Sequence, residues 1–163
     1  MRLLKLALIS FIVLFAIVTG ISLFIPSHVL VSRAVNISAP PDSIVSNISN
    51  LNRWKTWAAG MTDSSVHILS PGEARMAAAT LKIGEVTPSL VTAQWKSQRG
   101  DSLIAEFHLV SDSLHHVVVV QWIFRQDLAW YPWVKLGSLM NEKVLGGMME
   151  KNLGQLKTQL EAH

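Results

Sequence analysis

Residues 103–125 read LIAEFHLVSDSLHHVVVVQWIFR. Leu103, Ala105, Phe107 and Leu109 alternate with positions that include polar Glu106 and His108, the period-two signature of a half-buried strand. Ser111-Asp112-Ser113 signals a turn. The alternation resumes over His116–Arg125, where Val118, Val120, Trp122 and Phe124 share one face. So short a connection predicts an antiparallel hairpin.

Moving back along the chain, Arg99-Gly100-Asp101 is another turn signal, preceded by a strand over Leu90–Gln98 in which Val91, Ala93 and Trp95 oppose Thr92, Gln94 and Lys96. Ala74–Ile83 reads as a strand, although Met76-Ala77-Ala78-Ala79 would suit a helix, and Val66–Leu69 as a short strand. Val29–Ile37 alternates too, with Arg33 among the valines of one face. Pro41 and Asp42 suit the first turn of a helix, which Ile44, Ile48 and Leu51 extend over Pro41–Asn50. Asn52–Trp57 follows as a turn or second helical segment. Moving forward, the period changes. Leu145, Met149, Leu153, Leu156 and Leu160 form one apolar stripe on a long helix over roughly Val134–Ala162. Gly146 and Gly147 lie inside it, each costing the helix about 1 kcal/mol relative to alanine. Either close packing on the sheet or a bend that leaves room for a cavity would explain them. The whole predicts an α+β domain, a curved antiparallel sheet around a C-terminal helix.

Ahead of this domain, Leu6–Ile25 runs without a charge, and fourteen of its twenty residues are Leu, Ile, Val or Phe. At about 1.5 Å per residue such a helix spans about 30 Å, the hydrocarbon thickness of a bilayer. The run exceeds a signal peptide's apolar core of about 7–15 residues, which favours an uncleaved anchor over a cleaved leader. Lipid attachment is excluded by the lack of cysteine. Arg2 and Lys5 precede the run and the next basic residue is Arg33. The positive-inside bias therefore predicts a cytoplasmic N-terminus and an extracytoplasmic domain, periplasmic in a Gram-negative cell. The expected organisation is a single-pass transmembrane anchor over 1–26 and one domain over 28–163.

The net charge is +3, but Arg2 and Lys5 supply two of those charges, so the domain is nearly neutral. With no basic block, nucleic-acid binding is not expected. Nothing in the sequence sets an oligomeric state.

Val31–Pro40, the helix after it and Trp54-Lys55-Thr56-Trp57 together resemble the opening of the START-like (SRPBCC) superfamily, and within it the membrane-anchored polyketide cyclase/dehydrase-like proteins. Val120-Gln121-Trp122 and the run Gly146–Glu161 resemble that family's last strand and closing helix. The resemblance covers about residues 29–162 and implies a helix-grip fold, seven antiparallel strands folded over the last helix with an apolar cavity between. It further implies an apolar small molecule or lipid as partner, and for a minority of members a reaction. Two departures stand out: the alanine-rich stretch from Arg75 to Ile83, and Asn152 where glycine is common. Under this fold the cavity lining would be Trp57, Trp95, Phe107, Trp122, Phe124, Met140 and Met149. The ordinary alternative for each is plain core. Trp130, Tyr131 and Trp133, just before the helix, would form a lid or touch the membrane interface, where Trp and Tyr settle.

No catalytic set is legible. The six histidines, His28, His67, His108, His115, His116 and His163, show no metal-ligand spacing, and no cofactor motif appears. His115-His116 reads as solvated turn residues. Glu106 and His108 have the chemistry to exchange protons, but alternation turns them to water, where a surface pair across from Lys96 is expected. Arg33 either enters the cavity as a polar anchor or lies at the sheet's edge, the edge being favoured. Three functions stay open: a non-catalytic anchored binding module, a cyclase- or dehydratase-type enzyme using the same cavity, and an anchored interaction domain whose cavity is filled by its own side chains.

Overall fold

The computed structural model describes residues 2–24, 28–98, 100, 102–112, 117–127 and 132–162; at 2–3, 28–29, 127, 132, 134 and 136–142 it describes the backbone alone. A helix α1 (Arg2–Leu23) precedes β1 (His28–Ile37), α2 (Pro41–Ser49) and α3 (Leu51–Trp57). Six strands follow: β2 (His67–Ser70), β3 (Glu73–Arg75), β4 (Ala79–Val86), β5 (Leu90–Ser97), β6 (Ser102–Asp112) and β7 (Val117–Asp127). Helix α4 (Pro132–Glu161) closes the chain.

The seven strands form one antiparallel sheet in the order β1-β7-β6-β5-β4-β3-β2. The 103–125 hairpin lies within it, with Phe107 opposite Trp122 and Ala105 opposite Phe124. Alternation decides which face is buried: Ala105, Phe107, Leu109, Val118, Val120, Trp122 and Phe124 are all core. Met149, Leu153 and Leu156 of the expected stripe cover that face from α4, while Leu145 and Leu160 pack at its two ends.

Helices α2 and α3 break at Asn50, whose side-chain oxygen accepts from the Asn52 N–H at 3.0 Å and caps α3. The residues after Asn52 are therefore helix, not turn. Two other expectations are not met. The single strand expected over Ala74–Ile83 is two, β3 and β4, paired with each other across the connection at 76–78. The alanines that weakened the strand reading mark this reversal. Lys96 is also not opposite Glu106 or His108; it pairs with Ser102, and His108 pairs with Leu90.

Candidate functional site

Helix α3, the inner sheet face and α4 enclose a pocket of about 300 Å³. Its floor is buried: Trp54 of α3, Trp122 and Phe124 of β7, and Asn152 of α4. Its rim is half-buried: Met76 before β4, Trp95 of β5, Leu103 of β6, and Leu145 and Met148 of α4. The turn leaving α3, Ala58 to Met61, closes one side. Gly60 makes that turn at φ +86°, where a side chain would be strained.

Local structure fixes each wall. Trp54 and Trp57 lie one helical turn apart, their rings 4.9 Å from centre to centre. The Trp54 indole N–H donates to the Ile48 carbonyl at 2.7 Å, which locks its ring. Phe107 stacks on Trp122 at 4.8 Å, and Trp57 meets both rings edge to face. Such pairs contribute about 0.5–1.5 kcal/mol each beyond their buried area. The indole N–H groups of Trp57 and Trp122 have no acceptor among the described residues and are sealed from water. Each unmade bond costs about 1–3 kcal/mol, so the aromatic packing outweighs a polar penalty.

Asn152 is the pocket's polar side chain, 2% exposed, and its Oδ1 accepts from the Ala59 N–H at 3.0 Å. It thereby ties the α3 exit turn to α4. Among the described residues, no ionisable side chain lines the pocket.

Of the residues singled out in the sequence, Trp95, Trp122 and Phe124 line the pocket. Trp57, Phe107 and Met149 are fully buried and stand off its wall, in the surrounding core. The Met140 side chain, Trp130 and Tyr131 lie outside the described residues, as do His115 and His116. Trp133 sits not before the last helix but in its first turn, 62% exposed. Sequence reasoning left out Trp54, Met76, Leu103, Leu145, Met148 and Asn152. The last three follow from a wider helix face, since 145, 148, 149 and 152 share one side at helical spacing.

The polar groups outside the pocket are accounted for locally. Arg33 lies on edge strand β1, its Nε 2.6 Å from Glu150 Oε1 of α4, and does not reach the pocket. Glu106 faces outward, 3.0 Å from His108 Nε2 and 3.3 Å from Arg125. In the exposed loop after the α3 exit turn, the Ser65 N–H donates to Asp63 Oδ1 at 2.8 Å and holds that carboxyl below its usual pKa. Among the described residues no cluster of metal-ligating side chains occurs.

The architecture is shared with solved structures. DynU16, of the dynemicin biosynthetic locus, aligns over 81% of this chain with a TM-score of 0.58 and 15% identity. The match covers 47% of DynU16, so the chain spans about half of that protein. A START superfamily protein from Mycobacterium smegmatis aligns over 82% of this chain and 97% of its own, with a TM-score of 0.58 and 16% identity. The fold is the START-like helix grip. A protein of unknown function from Staphylococcus aureus shares it, at a TM-score of 0.67 and 10% identity over 83% of this chain and 94% of its own. No protein-family model matches the sequence. No curated protein matches it either. At these identities the START-like likeness concerns the fold alone.

Proposed function

We propose that the chain is a membrane-anchored, non-catalytic binding module for an apolar small molecule or lipid. One observation carries the reading: the pocket of about 300 Å³ between sheet and α4 has aromatic and aliphatic walls, one amide and no ionisable group among the described residues. Ligand sites combine such walls with few polar groups that orient the occupant. An enzyme of the cyclase or dehydratase type needs groups that exchange protons with its substrate, and the described residues of the walls offer none. The open volume weighs against a domain filled by its own side chains.

Volume also limits the ligand. At ~30 Å³ per water-sized group, the pocket takes on the order of ten non-hydrogen atoms. A two-ring molecule fits, or about half of an 18-carbon chain with the remainder leaving through the mouth; a whole two-chain phospholipid does not.

Residues 1–26 serve in this reading as the anchor. Leu4–Leu23 is long and apolar enough to cross a membrane. Arg2 and Lys5 favour a cytoplasmic N-terminus and a START-like domain, residues 28–163, on the other side. Native mass spectrometry of the full chain released from detergent tests the binding reading. A co-purifying apolar adduct that fluorescent fatty acid displaces is the expected result. A chain that carries no adduct and takes up no fatty acid overturns it.

A further inference from the structure

The sheet register places the pocket at one end of the domain. Val29, the second residue of β1, pairs with Gln126, which pairs with Leu103, which pairs with Trp95. These pairs put the half-buried rim in the row where β1 begins. The buried floor lies deeper, with Phe124 opposite Val31 and Trp122 opposite Arg33. The pocket therefore opens toward the strand ends where the chain arrives from α1. At most about 18 Å of chain separates Leu23 from His28, five residues at ~3.6 Å each.

A second contact fixes the same end. Lys135, in the first turn of α4 and 5% exposed, donates from Nζ to the Ser22 carbonyl at 3.2 Å. Ser22 is itself 2% exposed, in the last turn of α1. A lysine here satisfies a helix-terminal carbonyl and complements the negative end of the dipole. Leu145 of the rim lies ten residues further along α4, ~15 Å from Lys135. Trp133, 62% exposed, lies two residues before Lys135 in the same first turn of α4.

We infer that the pocket mouth faces the bilayer and takes its occupant, a single hydrocarbon chain or a membrane-dissolved apolar molecule, directly from the membrane. This rests on the reading of α1 as an anchor and of the pocket as a binding site. It adds the direction of entry. A ligand that passes from bilayer to pocket over this end exposes little apolar surface to water, so the unfavourable step of free diffusion is avoided. Lys135 and Ser22 hold the mouth at that height.

The chain has no cysteine, so single labels are clean. Ser102→Cys and Ser111→Cys place a fluorophore at the two ends of β6, the first beside the rim and the second at the far end, ~30 Å apart. The full chain is reconstituted in phosphatidylcholine vesicles that carry a headgroup acceptor dye, and cis-parinaric acid is added to the same vesicles. Energy transfer to the acceptor is expected to be about twofold or more stronger from position 102, given that spacing. Tryptophan-to-parinaric transfer should report loading. Loading with equal or stronger acceptor transfer from position 111 overturns the inference and leaves the binding reading intact. No parinaric acid bound overturns the binding reading, and the inference with it.

Discussion

Arg33 of β1 lies across Gly146 of α4 so closely that a methyl group at position 146 would collide with its guanidinium. The same guanidinium donates to the Ser32 carbonyl at 2.8 Å and to Glu150 at 2.6 Å, which limits its freedom to move away. Gly147, its neighbour, has open space around it. The two glycines are therefore not equivalent. Gly146→Ala should destabilise by up to about 2 kcal/mol net, overpacking against the guanidinium less the helix-propensity gain of alanine. Gly147→Ala should stabilise by about 0.5–1 kcal/mol through helix propensity. Urea denaturation of the two variants checks the opposite signs. Adding Arg33→Ala to Gly146→Ala should recover most of the loss, as expected for residues in contact.

Asn152 should matter more than its place on an apolar stripe suggests. Replacing it with Leu keeps the volume but leaves the part-buried Ala59 N–H without its acceptor. The expected cost is about 0.5–1.5 kcal/mol, the net contribution of one hydrogen bond. Hydrogen exchange should show faster opening confined to the turn at 58–61. An unchanged exchange pattern would mean that the α3 exit turn is held by packing alone.

The outward cluster of Glu106, His108 and Arg125 should be dispensable. Glu106 is 19% exposed and its partners are more open still, at 39% and 50%. Exposed ion pairs contribute about 0–1 kcal/mol. Glu106→Gln should therefore shift stability by less than about 1 kcal/mol and leave fatty-acid uptake unchanged. A large loss of uptake would point to a role for this face in ligand exchange.

The strands were legible where one face is core and the other is wet, because alternation then has a single meaning. The 103–125 hairpin and β5 are of this kind, and the α4 stripe is its helical counterpart. Legibility failed at 76–78, where a chain reversal is built from Met and Ala rather than Gly, Pro or Asn. Arg33 could be placed on the inner face by alternation, but its destination depended on Glu150 and Gly146, more than a hundred residues away. The pocket was the least legible feature. Inward aromatic residues were evident, but whether each lines a void or fills it depends on which rings nest together. Trp57 and Phe107 nest with Trp122 behind the wall, while Phe124 on the floor and Trp95 at the rim, in contact with each other at 5.4 Å, line the open space. Alternation does not encode that difference.

The rim offers the most direct test of ligand binding without disturbing the core. Met148 is half-buried on the pocket side of α4, whereas its neighbour Met149 is fully buried. In Met148→Trp, an indole that turns inward occupies part of the ~300 Å³ space. No buried group is removed and open volume is available, so stability should change by less than about 1 kcal/mol, below the usual penalty for overpacking. Affinity for cis-parinaric acid should fall about tenfold or more, a loss of about 1.4 kcal/mol or greater. Met149→Ala makes the control: it should cost about 2–5 kcal/mol in stability as a buried truncation. Titration and thermal melting of both variants in the same detergent separate the two effects. If Met148→Trp binds the fatty acid as tightly as the parent chain, the pocket between sheet and α4 is not where it sits.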